Sequence, residues 1–300
     1  MKKTLCVLIA LALCLGCLCA AAEELTRVEA PEVKWDFPVS LSAIESKYAI
    51  LVNADNMLDA EFKPSPQVKV KGVKCISTKA IYMEEGAANA LKAMFDAAAQ
   101  VTEYTYVNAE GKEKTAKYDA DRGMVLYLKS GYRSYGTQAT TYKNYMDTTD
   151  KDDGSVVVPG ASEHQTGICA DILSAEYEGD TTMTKDFMWT PEAQWMKENC
   201  AEFGFILRYP EEAEAITGVK FEPWHFRYVG EEIAWYITSR GITLEEFTNE
   251  ALFAVAEFVG RGGDVEHQVA YEYYRLNAPP ESNLLDISDE TGDYEVSLLL

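Results

Sequence analysis

Basic residues are scarce in this chain of 300 amino acids. It contains 27 Lys and Arg against 49 Asp and Glu, which gives a formal net charge of −22 at pH 7. The phosphates of nucleic acids and the headgroups of anionic lipids repel so acidic a protein. We therefore expect no nucleic-acid partner and no electrostatic attachment to membranes.

Long apolar runs are absent beyond the first 22 residues. That opening segment has a basic start, an apolar stretch from Leu5 to Cys19, and the small residues Ala20–Ala22 before an acidic pair. Such a sequence is typical of a secretory signal peptide, and its apolar part is shorter than the roughly 20 residues of a transmembrane helix. We expect residues 1–22 to be removed on export and the mature chain to lack a transmembrane span. Lipoprotein tethering through Cys17 is the alternative.

Cysteine is sparse once the signal peptide is removed. Four of the seven cysteines lie within residues 1–22, and those that remain are Cys75, Cys169 and Cys200. Three cysteines cannot make a disulfide framework in an exported chain of this length, so a hydrophobic core must stabilise the fold. One disulfide would leave one thiol over.

Helix and strand patterns follow one another irregularly along the chain. Apolar spacing predicts helices near 84–101, 138–146, 189–203 and 230–239, and Thr190-Pro191 is a typical helix start. Strands are expected at 48–52, 124–128, 205–208 and 221–229, with a hairpin or surface insertion over 102–123. This mixture predicts an α+β domain with a mainly antiparallel sheet and flanking helices. We place a leader at 23–44, the domain at 45–250 and an extension of unknown role at 251–300.

Histidine is rare, and its positions narrow the search for chemistry. His164 and His225 lie in dense polar segments, whereas His267 is expected at the surface. Two imidazoles and one carboxylate around zinc leave a fourth position open for water, as catalytic zinc sites require. The side chains of His164, Asp171 and His225 could supply that set. The alternative is that the histidines are hydrogen-bonded core residues and that Glu163 or Glu222 faces solvent.

A zinc site of this kind also needs a group that moves protons. Zinc lowers the pKa of its bound water to about 7, and a nearby carboxylate must take the proton and pass it to the leaving amine. Glu222, three residues before His225, is the natural candidate.

Several segments, taken in order, resemble a known family. They are Ser130–Ser134 with Gln138, then Ser162-x-His164-x-x-Gly167-x-x-x-Asp171, then Gly204–Pro210, and finally Glu222–Gly230 with its Glu222-x-x-His225. Over about residues 48–248, this series is similar to the zinc D-Ala-D-Ala carboxypeptidases of the vancomycin-resistance type, within the LAS metallopeptidases. Cys169 is a departure, because the family usually has alanine there.

The resemblance implies an LAS-type (hedgehog-like) zinc peptidase domain with a defined set of functional residues. The implied zinc ligands are His164, Asp171 and His225, and the implied general base and acid is Glu222. Arg133 would stabilise a substrate or transition-state oxygen, while Ser162 and Gln138 would help to hold the terminal D-Ala. Independently of the family, an exopeptidase must recognise a free carboxylate, which a guanidinium binds with two parallel hydrogen bonds. The thiolate of Cys169 could compete as a zinc ligand or form a disulfide with Cys200.

The function implied is removal of the terminal D-Ala from peptidoglycan stem peptides by an exported, monomeric, zinc-dependent enzyme. One alternative is an LD-carboxypeptidase that acts on tetrapeptide stems, which the sequence does not distinguish from the first. A second alternative is a non-catalytic cell-wall-binding protein. The presence of Glu222 and of all three ligands argues against the latter.

Overall fold

The computed structural model describes residues 27–77, 79–151, 153–177 and 183–278. The predicted signal peptide and most of the acidic tail lie outside these residues. One compact unit spans Ala30–Glu272. Among the described residues, no helix has both the length and the apolar character needed to cross a bilayer.

The described residues contain eight α-helices and eight β-strands. The helices are α1 (Leu41–Ile44), α2 (Glu85–Ala98), α3 (Tyr135–Thr149), α4 (Pro191–Asn199), α5 (Glu214–Thr217), α6 (Glu231–Arg240), α7 (Leu244–Gly260) and α8 (Val265–Asn277). The strands are β1 (Gln67–Lys69), β2 (Tyr82–Glu84), β3 (Glu103–Val107), β4 (Glu113–Lys117), β5 (Leu126–Ser130), β6 (Cys169–Ser174), β7 (Phe205–Leu207) and β8 (His225–Tyr228).

The central sheet has four antiparallel strands in the order β5-β6-β8-β7. Two smaller antiparallel pairs, β1-β2 and β3-β4, complete the strand set of the described residues. The β3-β4 pair is the hairpin predicted over 102–123. The prediction of an α+β fold with a mainly antiparallel sheet is therefore confirmed.

Helix α2 packs on the face of the sheet that is opposite to the polar centre described below. Leu91 and Met94 are fully buried and share one apolar cluster with Ile172 of β6 and Phe226 of β8. Burial of one such side chain stabilises the fold by about 1.5–3 kcal/mol. Because successive residues of a strand point to opposite faces, burying Ile172 and Phe226 directs their sequence neighbours to the other side.

The helix predicted near 189–203 begins at Pro191, directly after its capping residue Thr190. The Thr190 hydroxyl accepts a hydrogen bond from the Ala193 amide, and Pro191 occupies the first helical position, where its missing N–H costs nothing. The chain leaves the helical segment at Gly204, whose φ of 73° suits glycine.

The predicted strand at 48–52 is wrong. Lys47–Ala49 form a short 3-10 helix, and the next three residues are irregular. The carbonyls of Tyr48 and Ile50 accept hydrogen bonds from Nη2 of Arg227, at 3.0 and 2.5 Å. Buried carbonyls need a donor but not a neighbouring strand, so a guanidinium satisfies them here.

The apolar core includes residues that precede and residues that follow the predicted domain 45–250. Val39 and Ala251 are buried in one apolar cluster with Ile233 and Phe247. Helix α7 also runs without a break through position 250. The described parts of the predicted leader and C-terminal extension thus contribute to the core of the compact unit.

Candidate metal centre

Three side chains that the sequence singled out meet at one point. His164 lies in the short 3-10 helix Glu163–Thr166, Asp171 on β6, and His225 at the start of β8, opposite Asp171 in the strand register. Oδ2 of Asp171 is 3.3 Å from Nε2 of His164, and Oδ1 is 3.2 Å from Nδ1 of His225. All three residues are buried.

These separations match those of donors that share one metal ion. Zinc–nitrogen and zinc–oxygen bonds of about 2.0–2.2 Å at a tetrahedral angle place the two donor atoms about 3.4 Å apart. The imidazole rings are nearly perpendicular, at 87°, with centroids 5.0 Å apart. The residues present therefore fit a tetrahedral metal ion such as zinc.

Hydrogen bonds orient both imidazoles. Nδ1 of His164 is 2.6 Å from the carbonyl oxygen of Gly131, which can only accept, so Nδ1 carries the proton. Nε2 of His225 is 3.4 Å from Oε2 of Glu163. Nε2 of His164 and Nδ1 of His225 both lie next to Asp171 and are the nitrogens that would bind a metal ion shared with it.

A glycine explains how the chain places His164 and Asp171 together. Gly167 ends the short helix with φ of 70°, a left-handed conformation that favours glycine. A Cβ at this position would lie 2.9 Å from Cγ of Pro64. The chain then enters β6, which carries Asp171 back to the imidazole of His164.

Cys169 adds a further donor to the cluster. The ligand atoms of His164, Cys169 and His225 all lie within 4.8 Å of one another. Burial disfavours the charged thiolate, but the two imidazoles outweigh it and lower the pKa of the Cys169 thiol to about 7. Cys169 and Cys200 are both free thiols, so the disulfide considered from the sequence does not form.

Glu222 lies beside the cluster, in the turn that precedes β8. The strand predicted over 221–229 is shorter than expected, because the amide of His225 bonds to the carbonyl of Glu222 at 3.1 Å and closes a turn around Pro223. Oε2 of Glu222 is 3.5 Å from Nδ1 of His225, and the side chain is 20% exposed. Burial raises the pKa of Glu222 to about 7, with His225 acting in the opposite direction. A bound cation would lower this pKa again.

A cleft of about 220 Å³ contains the cluster and the predicted substrate residues. Arg133, Gln138 and Ser162 line it together with Glu222 and the three candidate ligands. Within the part of the chain that the structure describes, Nε of Arg133 and Oε1 of Gln138 are buried without a hydrogen-bond partner. A buried polar atom left unpaired costs about 1–3 kcal/mol, so both atoms are suited to a polar ligand. The third histidine, His267, lies on α8 outside the cluster and is partly exposed.

A larger cavity of about 410 Å³ lies elsewhere on the protein. Its lining includes Val107, Trp189, Gln194 and Phe221, and it contains none of the candidate ligands. We assign the functional site by its chemistry, because only the smaller cleft combines metal donors, a carboxylate of raised pKa and a guanidinium.

Glu163 is a site residue whose role the sequence did not reveal. Its side chain is fully buried, so the interpretation that it faces solvent is wrong. Oε1 accepts hydrogen bonds from Nε of Arg208 at 2.8 Å and Nη1 of Arg227 at 2.6 Å, while Oε2 contacts His225. Burial alone would raise the pKa of Glu163, but the two guanidiniums hold it well below its usual range.

The network continues from Glu163 to helix α7. Nη1 and Nη2 of Arg208 form a two-pronged pair with Glu245, at 2.9 and 2.6 Å. Arg208 and Arg227 both lie in or beside apolar strand segments, and a charged side chain in such a place must find a buried partner. That pattern was the signal in the sequence for a buried carboxylate.

The chain is similar in sequence to known carboxypeptidases. Residues 106–231 match the family model of the VanY D-alanyl-D-alanine carboxypeptidases. The protein named "Putative carboxypeptidase YodJ" of Bacillus subtilis (strain 168) is 36% identical over 203 residues, or 66% of this chain and 65% of YodJ. A D-alanyl-D-alanine carboxypeptidase of Enterococcus faecalis (strain ATCC 700802 / V583) is 33% identical over 202 residues, or 67% of this chain and 65% of that protein.

A solved structure extends the likeness to the fold. The LD-carboxypeptidase LdcB is 35% identical, with a TM-score of 0.55, and the match covers 66% of this chain and 84% of LdcB. The chain therefore belongs to the VanY-type carboxypeptidase family, as the sequence motifs predicted. The chain matches 65% of the length of each of the two curated relatives.

Replacement of His164 by alanine is expected to weaken metal binding severely. The loss should exceed the roughly 10- to 100-fold that removal of an outer-shell partner costs, since a direct donor is lost. The zinc content of gel-filtered protein and a zinc titration measure it. His267→Ala removes an imidazole outside the cluster and should bind zinc like the wild type. Equal zinc content in both variants would refute the assignment of His164.

Proposed function

We propose that this chain is an exported, zinc-dependent carboxypeptidase that removes the terminal D-Ala from peptidoglycan stem peptides. The observation that supports it most is the convergence of His164, Asp171 and His225 beside Glu222, with Arg133 in the same small cleft. The matched E. faecalis relative is named a D-alanyl-D-alanine carboxypeptidase. Export is inferred from the N-terminal sequence.

The side chains divide the work of peptide hydrolysis among them. His164, Asp171 and His225 would hold zinc, which when bound would supply Lewis acidity and a nucleophile at neutral pH. Glu222 would take the proton of the attacking water and deliver it to the leaving D-Ala amine. Its Oε2 is 3.5 Å from Nδ1 of His225, which places the carboxylate beside the candidate metal ligands.

Arg133 binds the free carboxylate of the substrate in this mechanism. Its amide donates to the carbonyl oxygen of His164 at 2.9 Å, which ties its backbone to a metal-ligand residue. Nε has no hydrogen-bond partner among the described residues, so it can donate to an incoming anion. Gln138 is oriented by a hydrogen bond from Nε2 to the Val157 carbonyl at 2.6 Å, and with Ser162 it would hold the D-Ala residue.

The size of the cleft supports a small terminal residue. Pockets for drug-sized ligands have volumes of about 300–1,000 Å³. The cleft here is about 220 Å³, which admits the end of a peptide with small side chains. Alanine at the scissile bond satisfies that limit.

LD-carboxypeptidase activity is the second candidate, because the LD-carboxypeptidase LdcB is similar to this chain in both sequence and fold. Zinc-loaded protein is incubated with penta- and tetrapeptide stems, and mass spectrometry records the loss of one alanine from each. Loss from the pentapeptide alone supports the DD assignment, and loss from the tetrapeptide alone supports the LD assignment. Absence of cleavage in both, with zinc fully bound, supports a cell-wall-binding protein without catalysis.

Arg133→Lys is expected to lower kcat/KM for a free-acid substrate by roughly ten- to hundredfold, which corresponds to one charge-assisted hydrogen bond of about 1.5–3 kcal/mol. Lysine keeps the charge but lacks the planar fork. The measurement compares a peptide acid with its C-terminal amide. The wild type should prefer the acid strongly, and the variant should lose much of that preference while its melting temperature stays close to that of the wild type. An unchanged preference would mean that another group binds the carboxylate.

A further inference from the structure

Cys169 is buried inside the metal cluster, yet the mechanism above does not use it. Its exposure is 0%, and it lies two positions before Asp171 on β6, so both side chains point to the same face of the sheet. Its sulfur lies within 4.8 Å of the ligand atoms of His164 and His225. Arg227 is opposite Cys169 in the strand register and is engaged with Glu163.

We propose that Cys169 is a fourth protein ligand of the metal ion, so that the resting centre has two imidazoles, one carboxylate and one thiolate. This proposal rests on the proposed zinc-dependent function. As the sulfur–metal bond forms, the S–H bond breaks and its proton passes to solvent, because the thiolate is the form that binds metals.

The distances are close to those of donors that share one metal ion. A zinc–sulfur bond of about 2.3 Å and a zinc–nitrogen bond of about 2.05 Å at a tetrahedral angle separate sulfur and nitrogen by about 3.6 Å. The sulfur lies within 4.8 Å of a ring nitrogen of each histidine, so the ligands would move closer together as they bind the ion. Asp171 already has the spacing of a bound ligand.

A thiolate ligand would change the metal selectivity of the centre and the number of coordination positions that the protein fills. Sulfur is a soft donor that favours zinc and cadmium over hard cations such as magnesium and manganese. Four protein ligands are also typical of closed structural zinc sites, whereas catalytic sites keep one position for water. With Cys169 bound, the water of the proposed mechanism would enter as a fifth ligand, an expansion of the coordination sphere that zinc permits.

Cobalt substitution tests the proposal directly. The protein is loaded with Co²⁺ alone, and its absorption spectrum is recorded for the wild type, Cys169→Ala and Cys200→Ala. Thiolate ligation produces a sulfur-to-cobalt charge-transfer band in the near ultraviolet, which should be present in the wild type and absent from Cys169→Ala. Cys200 is a buried free thiol outside the cluster, so its variant should keep the band. Cys169→Ser gives the same comparison with a side chain of nearly the same volume, should alanine disturb folding.

The affinity for zinc gives a second readout. Cys169→Ala should bind zinc at least about tenfold more weakly, the lower end of what even an outer-shell partner contributes. Wild-type protein that binds cobalt without a sulfur band, or a band that persists in Cys169→Ala, would overturn the proposal. Peptide cleavage by zinc-loaded wild type is measured in parallel. Cleavage without the sulfur band refutes only the role of Cys169, and the band without cleavage refutes only the peptidase assignment.

Discussion

Glu222→Gln should remove almost all turnover while the metal and the fold stay in place. The amide has the size of the carboxylate but cannot accept and return a proton, and general acid–base groups contribute about 10²- to 10⁴-fold to the rate. Steady-state release of D-Ala from a pentapeptide stem measures the loss. Zinc content and melting temperature are determined on the same preparation, because Glu222 is not counted among the ligands.

Glu192→Gln provides a matched control for this experiment. Burial also raises the pKa of Glu192, but this residue accepts a hydrogen bond from the Tyr118 hydroxyl at 3.0 Å and does not line the cleft. Its variant should keep its activity. If Glu222→Gln stays within about tenfold of the wild type, the effect is below the range of a general base and another group moves the proton.

Glu163→Gln should lower the free energy of unfolding by about 3–5 kcal/mol, the usual result when one partner of a buried ion pair is removed. Arg208 and Arg227 are 1% and 0% exposed, so the change leaves their charges in the interior with a weaker acceptor. Urea unfolding followed by circular dichroism measures the effect. The contact between Glu163 and His225 should also be weakened, and the affinity for zinc should fall about 10- to 100-fold, as for other groups that orient a ligand.

Two further variants separate the buried network from a general effect of charge. Glu211→Gln changes an exposed carboxylate and should alter stability by less than about 0.5 kcal/mol. Glu245→Gln should give an intermediate loss, because the side chain of Glu245 is 11% exposed and forms an ion pair with one guanidinium, that of Arg208, while Asn53 also donates a hydrogen bond to it. A Glu163 variant as stable as the Glu211 variant would show that the two guanidiniums do not depend on Glu163.

Local chemistry was sufficient to predict many elements of the fold. The helix predicted near 84–101 is α2, and five of its apolar residues at helical spacing are buried: Ala88, Leu91, Met94, Phe95 and Ala98. Capping chemistry placed the start of α4. These features depend on residues within a few positions of one another, which the sequence shows directly.

The motifs also selected the residues of the cleft. The spacing of His164 to Asp171, and of Glu222 to His225, is a local property of two segments, and the structure brings these segments together at neighbouring strands.

What the sequence determined by itself is therefore the set of local elements and the chemical character of the cleft. Tertiary structure decided which long-range partners satisfy the buried polar groups. The carbonyls of Tyr48 and Ile50 bond to Arg227, almost 180 positions away, so residues 48–52 form no strand. Glu163 is buried rather than exposed for the same reason, because two distant guanidiniums offset the cost of removing its charge from water. Proximity of Cys169 to both imidazoles likewise follows from the pairing of β6 with β8, which no local pattern encodes.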